Sequence, residues 1–144
     1  MSNCWGAAPI VSKSHLDIIR TGMDLVVNHQ RGTAYRARIE FDGMEMAGKT
    51  GTSQVRRISL AERAAGVFKN EDLPWRRRDH ALFVAYAPLH APRYCCAVVV
   101  EHGGSGSKAA APIARDILLE TQKRDPAVHP PIQLVAGDTA GRDS

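Results

Sequence analysis

Apolar and polar positions along this chain change period several times, and each change marks an element. After Ser14, the residues Leu16, Ile19, Met23 and Val26 or Val27 recur at helical spacing. Ser14 can cap that helix, with Asp17 favourable at its positive end. Gly32 ends the helix or the turn after it. Gly22 costs about 1 kcal/mol against alanine in a helix interior; it is either a point of close packing on a sheet or a merely tolerated glycine. From Tyr35 the period falls to two. Tyr35, Ala37, Ile39 and Phe41 alternate with Arg36, Arg38 and Glu40, as in a half-buried strand. Asp42-Gly43 is a tight-turn dipeptide, and residues 44–55 return as a second strand.

The second half repeats the scheme. Ser59-Leu60-Ala61-Glu62 is a capping box that opens a short helix ending near Gly66. A connection follows through Pro74 and Trp75. His80 to Pro88 and Tyr94 to His102 are nearly continuous apolar runs, the pattern of strands in a sheet covered on both faces. Gly103 to Ser107 is a flexible loop. A helix then runs from about Ala109 to Gln122, with Pro112 tolerated in its first turn and Ile113, Ile117 and Leu118 as its buried stripe. The organisation predicted is an irregular lead-in over 1–13, one folded unit over 14–123 and a proline-bearing, disordered tail over 124–144. The order helix, hairpin, long connection, hairpin, helix predicts an α+β fold, an antiparallel sheet flanked by helices.

Composition narrows the classes. A chain of 144 residues, 44% of them hydrophobic and 24% charged, can hold one domain with a real core. Its 19 basic and 15 acidic residues leave a net charge of +4, which favours anionic partners without demanding nucleic acid. Six arginines lie in residues 56–79, with Trp75 beside them. They read as a solvated loop rather than as a nucleic-acid surface, or as contacts to acidic peptides or a partner protein. Three cysteines make no disulfide framework; Cys4 sits near the terminus, and Cys95 and Cys96 face opposite sides of a strand. No histidine spacing predicts a metal site, and no cofactor is expected. No apolar run approaches the length of a membrane helix, and the first residues lack the pattern of an export signal.

The chemistry concentrates in Met46-Ala47-Gly48-Lys49-Thr50-Gly51-Thr52-Ser53-Gln54-Val55. Residues 43–50 match G-x-x-x-x-G-K-[ST], the phosphate-cradling loop. Its context is wrong: Glu45 inside the nest would repel phosphate, and the residues after Lys49 start a helix poorly. As a strand, the same residues put Lys49 and Gly51 on one face and Thr50 and Thr52 on the other. Gly51 leaves room for a substrate backbone along the edge. The run resembles the K-T-G element of penicillin-binding proteins and serine β-lactamases. An ordinary surface strand with a chance lysine is the bland alternative.

Further segments stand in a matching order: Arg20-Thr21-Gly22-Met23, Gly32-Thr33-Ala34, His80-Ala81-Leu82-Phe83-Val84-Ala85-Tyr86-Ala87-Pro88, Ala97 to Gly104, and Ala110-Ala111-Pro112-Ile113-Ala114. Over about residues 14–122 the chain resembles the C-terminal part of the transpeptidase domain of class B penicillin-binding proteins, elongation type (penicillin-binding protein 2). The resemblance implies the C-terminal portion of a serine β-lactamase/transpeptidase-like fold. Other strands and an all-helical half come from upstream in that family, so part of the apolar face here should lie open.

The resemblance also implies roles. Lys49 meets the substrate carboxylate and the proton-transfer network. Thr50 and Thr52 offer hydroxyls to that carboxylate, Gly51 lets the substrate approach, and the Thr52 N–H forms half of an oxyanion hole. The partners implied are a peptidoglycan stem peptide or a β-lactam, once a missing half completes the site. The family's Ser-x-x-Lys and Ser-x-Asn or Ser-x-Asp motifs do not precede Lys49. Ser105-Gly106-Ser107-Lys108 matches the first literally, but in a loop after K-T-G, so inactivity alone is expected. The family sits in the inner membrane with a periplasmic catalytic domain, and with neither anchor nor signal the location of this chain does not follow. A non-catalytic stem-peptide or partner-binding module is the alternative, and a nucleotide-binding phosphate loop a remoter one. Glu101 and His102 could form the rim of a cleft, and His80 reads as a strand-entry histidine satisfied by backbone or water.

Overall fold

A computed structural model describes residues 11–66, 68–125 and 127. Cys4, most of the lead-in and most of the predicted tail lie outside the described residues. Three helices, α1 (Lys13–Asn28), α2 (Leu60–Ala65) and α3 (Ala111–Lys123), accompany three strands, β1 (Ala47–Ser53), β2 (His80–Ala87) and β3 (Tyr94–Val100). The strands form one antiparallel sheet in the order β1-β2-β3. The predicted α+β architecture is therefore present.

Several details differ from the sequence reading. The cap of α1 is Ser12, whose side chain accepts the His15 N–H. Ser14 binds Ser12 instead, and Asp17 pairs with Lys13 at 2.7 Å. Of the predicted stripe only Val27 is buried; Leu16 and Ile19 are exposed. Gly22 is a tolerated glycine, since a Cβ there would meet nothing within 4 Å.

The first strand of the predicted 35–55 hairpin is absent. Tyr35–Ala37 forms a 3-10 turn, and the chain then runs without ladder partners to β1. Ala37 and Ile39 are buried as the alternation suggests, but against α-helical and loop neighbours rather than as part of a sheet. The Asp42-Gly43 turn is real: the Met44 N–H reaches the Phe41 carbonyl at 3.0 Å, and Gly43 has a φ of +76°. The Ser59 cap of α2 also forms, with Ser59 Oγ accepting from the Glu62 N–H. The Glu62 side chain pairs with Arg56 at 2.6 Å.

The core lies between helices α1 and α3 and one face of the sheet. Ala81, Phe83, Ala85 and Ala87 of β2 are buried there with Val27, Met46, Ala114 and Leu118. The buried side of α3 is Ala111, Ala114, Leu118 and Gln122. Ile113 and Ile117, predicted to be inside, are 43% and 47% exposed. Phe83 and Met46 are the bulkiest fully buried side chains, and the residues packed around them in the core are mostly alanines. Gln122 is held by its amide N–H groups, which reach the Met44 and Leu118 carbonyls at 3.0 and 3.2 Å.

The opposite face is open among the described residues, contrary to a sheet covered on both sides. Val84 is 47% and Val99 62% exposed, and Cys95 lies on the same face. Cys96 faces α3, where burial raises its thiol pKa. No helix of the described residues is long and apolar enough to cross a membrane.

Gly48 belongs to the packing rather than to a turn. A Cβ at Gly48 would stand 2.4 Å from Phe83 Cζ and 2.8 Å from the Val84 carbonyl oxygen. Gly48→Ala should destabilise the fold by about 1–3 kcal/mol through overpacking, measured by denaturant unfolding; an unchanged midpoint would contradict this packing. A second prediction concerns Asp125 at the end of α3. It pairs with Arg93 at 2.5 Å and accepts the Ala127 N–H at 2.9 Å. That backbone N–H first, then the Tyr94 hydroxyl and Arg93, hold its carboxyl below the usual range, against the effect of burial. A depressed carboxyl pKa contributes stability above its unfolded value, near 3.9, which is lost as pH falls through the lower folded value. Asp125→Asn should therefore lower the thermal midpoint at pH 7, and the difference from the parent should shrink below about pH 4.

Candidate functional site

β1 is an edge strand, so one row of its backbone groups has no strand partner among the described residues. Its register against β2 pairs Lys49 with Val84, Thr50 with Phe83, Gly51 with Leu82 and Thr52 with Ala81. Lys49 and Gly51 thus share the open face with Val84. Thr50 and Thr52 share the face of Phe83 and α3. Lys49 is exposed, and its Nζ donates to the Thr50 carbonyl at 2.7 Å. The Thr50 and Thr33 hydroxyls lie 3.4 Å apart.

Lys49 and Thr50 sit inside the strand, and the next helix begins only at Leu60. A phosphate loop needs a helix opening directly after the lysine, so that reading does not match this geometry.

After β3 the chain turns back toward β1. His102 has a φ of +54°, and Gly104 one of +73°. Gly103 packs on Val100 and Ala81, where a Cβ would come within 2.8 Å of Val100 Cγ1. One π-helical turn, Gly106–Ala110, then leads into α3. Gly106 lies directly on the sheet backbone: a Cβ there would be 2.4 Å from the Leu82 carbonyl oxygen and 2.7 Å from that of Gly51.

This return creates a cleft of 390 Å³ beside the end of β1. Thr52 forms one wall, His102 to Ser105 and Lys108 a second, and Asn70, Glu71 and Arg78 of the long connection a third. The walls are tied by local bonds. Asn70 and Asp79 exchange two hydrogen bonds, at 2.9 and 3.1 Å, and the Gly104 N–H reaches the Asp79 carbonyl at 2.9 Å. Arg78 donates to the Leu73 and Glu71 carbonyls at 2.9 and 3.2 Å. Lys108 reaches the Glu71 carboxylate at 3.3 Å.

The histidines are structural at one end and exposed to the cleft at the other. His80 Nδ1 accepts the His102 N–H at 2.9 Å, the satisfied strand-entry histidine expected. His102 Nδ1 lies 2.8 Å from the Arg78 carbonyl, and its ring packs edge-on against Trp75 with centroids 4.5 Å apart. A carbonyl only accepts, so the proton is on Nδ1. Glu101 is exposed and does not line the cleft. Ser105 Oγ is 3.1 Å from Ser107 Oγ, and Lys108 turns to Glu71. The literal Ser-x-x-Lys is thus near Thr52 without a serine–lysine hydrogen bond. Among the described residues, no group of three or more His, Cys, Asp or Glu could hold a metal ion.

The four predicted site residues therefore stay together on one strand, split between two faces. Sequence reasoning missed Glu71 and Arg78 as cleft residues. The available signal was their charge beside a glycine-rich return, but the contact between Lys108 and Glu71 spans 37 residues.

The penicillin binding protein transpeptidase domain family matches residues 7–119. The peptidoglycan D,D-transpeptidase MrdA of Haemophilus influenzae is 38% identical over 99 residues, covering 69% of this chain and 14% of that protein. The solved structure of penicillin-binding protein 2 of Helicobacter pylori in complex with MreC aligns with a TM-score of 0.59 at 30% identity, covering 76% of this chain and 17% of that one. Penicillin-binding protein 2 of Pseudomonas aeruginosa in complex with WCK 5153 aligns with a TM-score of 0.55 at 33% identity, covering 82% and 21%. The chain thus spans about 14% of the length of the MrdA protein it matches.

Gly106→Ala tests the seat of the cleft wall on β1. The added methyl meets backbone on both strands, which cannot rotate away. The substitution should destabilise the protein by roughly 1–3 kcal/mol and speed amide exchange at Gly51 and Leu82. Unchanged exchange at both would contradict the contact.

Proposed function

We propose a function from one premise: the chain belongs to the penicillin-binding protein transpeptidase family. It is a region of a penicillin-binding protein 2-type D,D-transpeptidase domain. In our reading β1 is the substrate-docking strand of that domain, and the nucleophilic serine comes from sequence outside this chain. The observation that carries the reading is the register of β1. It sets Lys49 on the open face, where an added half would reach it, and Thr52 on the wall of the cleft.

The chemistry follows from those positions. A peptide ending in D-Ala-D-Ala, or a β-lactam, lies along the β1 edge against Gly51. Thr50 and Thr52 offer hydroxyls to its carboxylate, and the Lys49 ammonium stabilises that charge and the proton-transfer network. A serine from the missing part attacks the terminal peptide bond or the lactam ring. The Thr52 N–H supports half of the resulting oxyanion, and the N–H of that serine the other half. Transfer to an amine of a neighbouring stem then forms the cross-link. Loss of one oxyanion donor typically costs about 2.7–4 kcal/mol of transition-state stabilisation, and loss of the nucleophile removes covalent catalysis.

Neither Ser-x-x-Lys nor Ser-x-Asn precedes Lys49, so this chain by itself should neither acylate nor cross-link. A second reading, a stem-peptide-binding module without catalysis, is favoured by one feature: residues of this chain line both the strand edge and the cleft beside it. Incubation with a penicillin followed by intact mass measurement separates these ideas. The expected result is an unmodified mass, with acylation appearing only when an upstream polypeptide carrying Ser-x-x-Lys is added. An adduct on this chain alone, first at Ser105, would overturn the inactivity. No acylation of the mixture, with a peptide ending in D-Ala-D-Ala still binding to this chain in a separate titration, would favour the binding module.

A further inference from the structure

A second cavity lies at the end of the sheet opposite the cleft. Tyr94 pairs with Ala87 where β3 begins, whereas Thr52 pairs with Ala81 at the other end of β2. The cavity measures 210 Å³, and its wall is mostly apolar, with Met44, Pro88 and the Tyr94 ring contributing. No residue of β1 lines it.

The charged and amide side chains at this cavity differ in how fully they are engaged. Asp125 accepts the Ala127 N–H at 2.9 Å, and Arg93 is turned to it at 2.5 Å. The Gln122 amide N–H groups go to the Met44 and Leu118 carbonyls. Carbonyls only accept, so the other end of that amide is its oxygen. This Oε1 is buried and has no partner among the described residues, and Gln122 is only 5% exposed. A buried acceptor without a donor is uncommon in a folded protein. Asp42 borders the same cavity, exposed and without an ion pair among the described residues. The two unengaged groups are therefore both acceptors, and the two carboxylates outweigh the one guanidinium.

We infer that this cavity binds a small aliphatic primary amine in its ammonium form. The alkyl chain lies against Met44, Pro88 and the Tyr94 ring. One ammonium N–H supplies the partner that Gln122 Oε1 lacks, and Asp42 supplies the counter-charge. A cavity smaller than those that hold drug-sized ligands restricts the chain to a few carbons. A bare cation would leave the apolar wall uncovered, and a quaternary ammonium would bring charge without an N–H. The assignment does not depend on the docking role of β1.

The test uses the full chain and amide chemical-shift titration at pH 7 with n-butylammonium chloride and with butyltrimethylammonium chloride. Butylammonium should move the Gln122 side-chain amide and the backbone amides of residues 43–44, 94 and 122–125. The quaternary cation should leave them in place. Asp42→Asn, at an exposed position, should weaken binding about two- to fivefold. Gln122→Met removes the acceptor and should weaken it further. Gln122 also holds two carbonyls, so the dispersion of the same spectra reports whether that variant is folded; if it is not, Asp42→Asn and the quaternary cation still decide. Equal binding of the two cations would overturn the proposal. So would unchanged binding in Asp42→Asn or in folded Gln122→Met, shifts confined to other residues, or no shifts at all.

Discussion

The pairing of β1 with β2 decides which face each side chain from Lys49 to Thr52 occupies. Side chains alternate along a strand, so a slip of one residue would carry Lys49 to the covered face and Thr52 to the open one. The hydrophobic pattern of β1 alone is too weak to prevent that. Two glycines do it by shape. Gly48 gives the Phe83 ring its place, and Gly106 sets the segment after β3 on the backbones of Gly51 and Leu82. At the start of the strand, the Asn28 amide reaches the Met46 carbonyl at 3.0 Å and ties α1 to the same register. A single packing unit therefore holds the K-T-G strand, the sheet and the cleft wall together.

The open face is the second consequence of this register. Val84, Val99 and Cys95 are exposed on it, and Ile18, Ile19 and Leu25 of α1 are exposed as well. Exposed apolar side chains on a sheet face, with open strand edges on either side, draw other surfaces to them. Lys49 projects from that same face. Anything that covers the apolar residues also arrives beside the lysine, and stability and chemistry would then be completed in one event.

Elements whose signal is local were legible in the sequence. The Ser59 capping box, the Asp42-Gly43 turn, β2, β3 and the Lys49–Thr52 strand depend on residues next to one another. Elements whose signal depends on distant neighbours were not. The alternation of Tyr35 to Phe41 reports that Ala37 and Ile39 are buried, and a buried extended segment has the same pattern whether or not it pairs. The face of α3 was misjudged because hydrophobicity favours Ile113 and Ile117, whereas the side that packs on the sheet carries the small Ala111 and Ala114 with Leu118. The cap of α1 moved from Ser14 to Ser12 because both serines can serve, and Lys13 recruits Asp17 away from the helix end. The cleft was the least legible part. Its walls come from β1, from the connection near residue 71 and from the return after β3, and nothing local marks them as neighbours.

The two lysines near β1 illustrate why both faces matter. Lys49 and Lys108 lie on opposite sides of one strand, and the intervening backbone is a single layer thick. A peptide along the edge of β1 also alternates, turning successive groups toward one side and then the other. Groups of such a peptide on the cleft side would meet Thr52, and those on the open side Lys49. The alternation that makes the register so consequential for folding is thus what gives a seven-residue strand two different faces, one bearing Lys49 and the other Thr50 and Thr52.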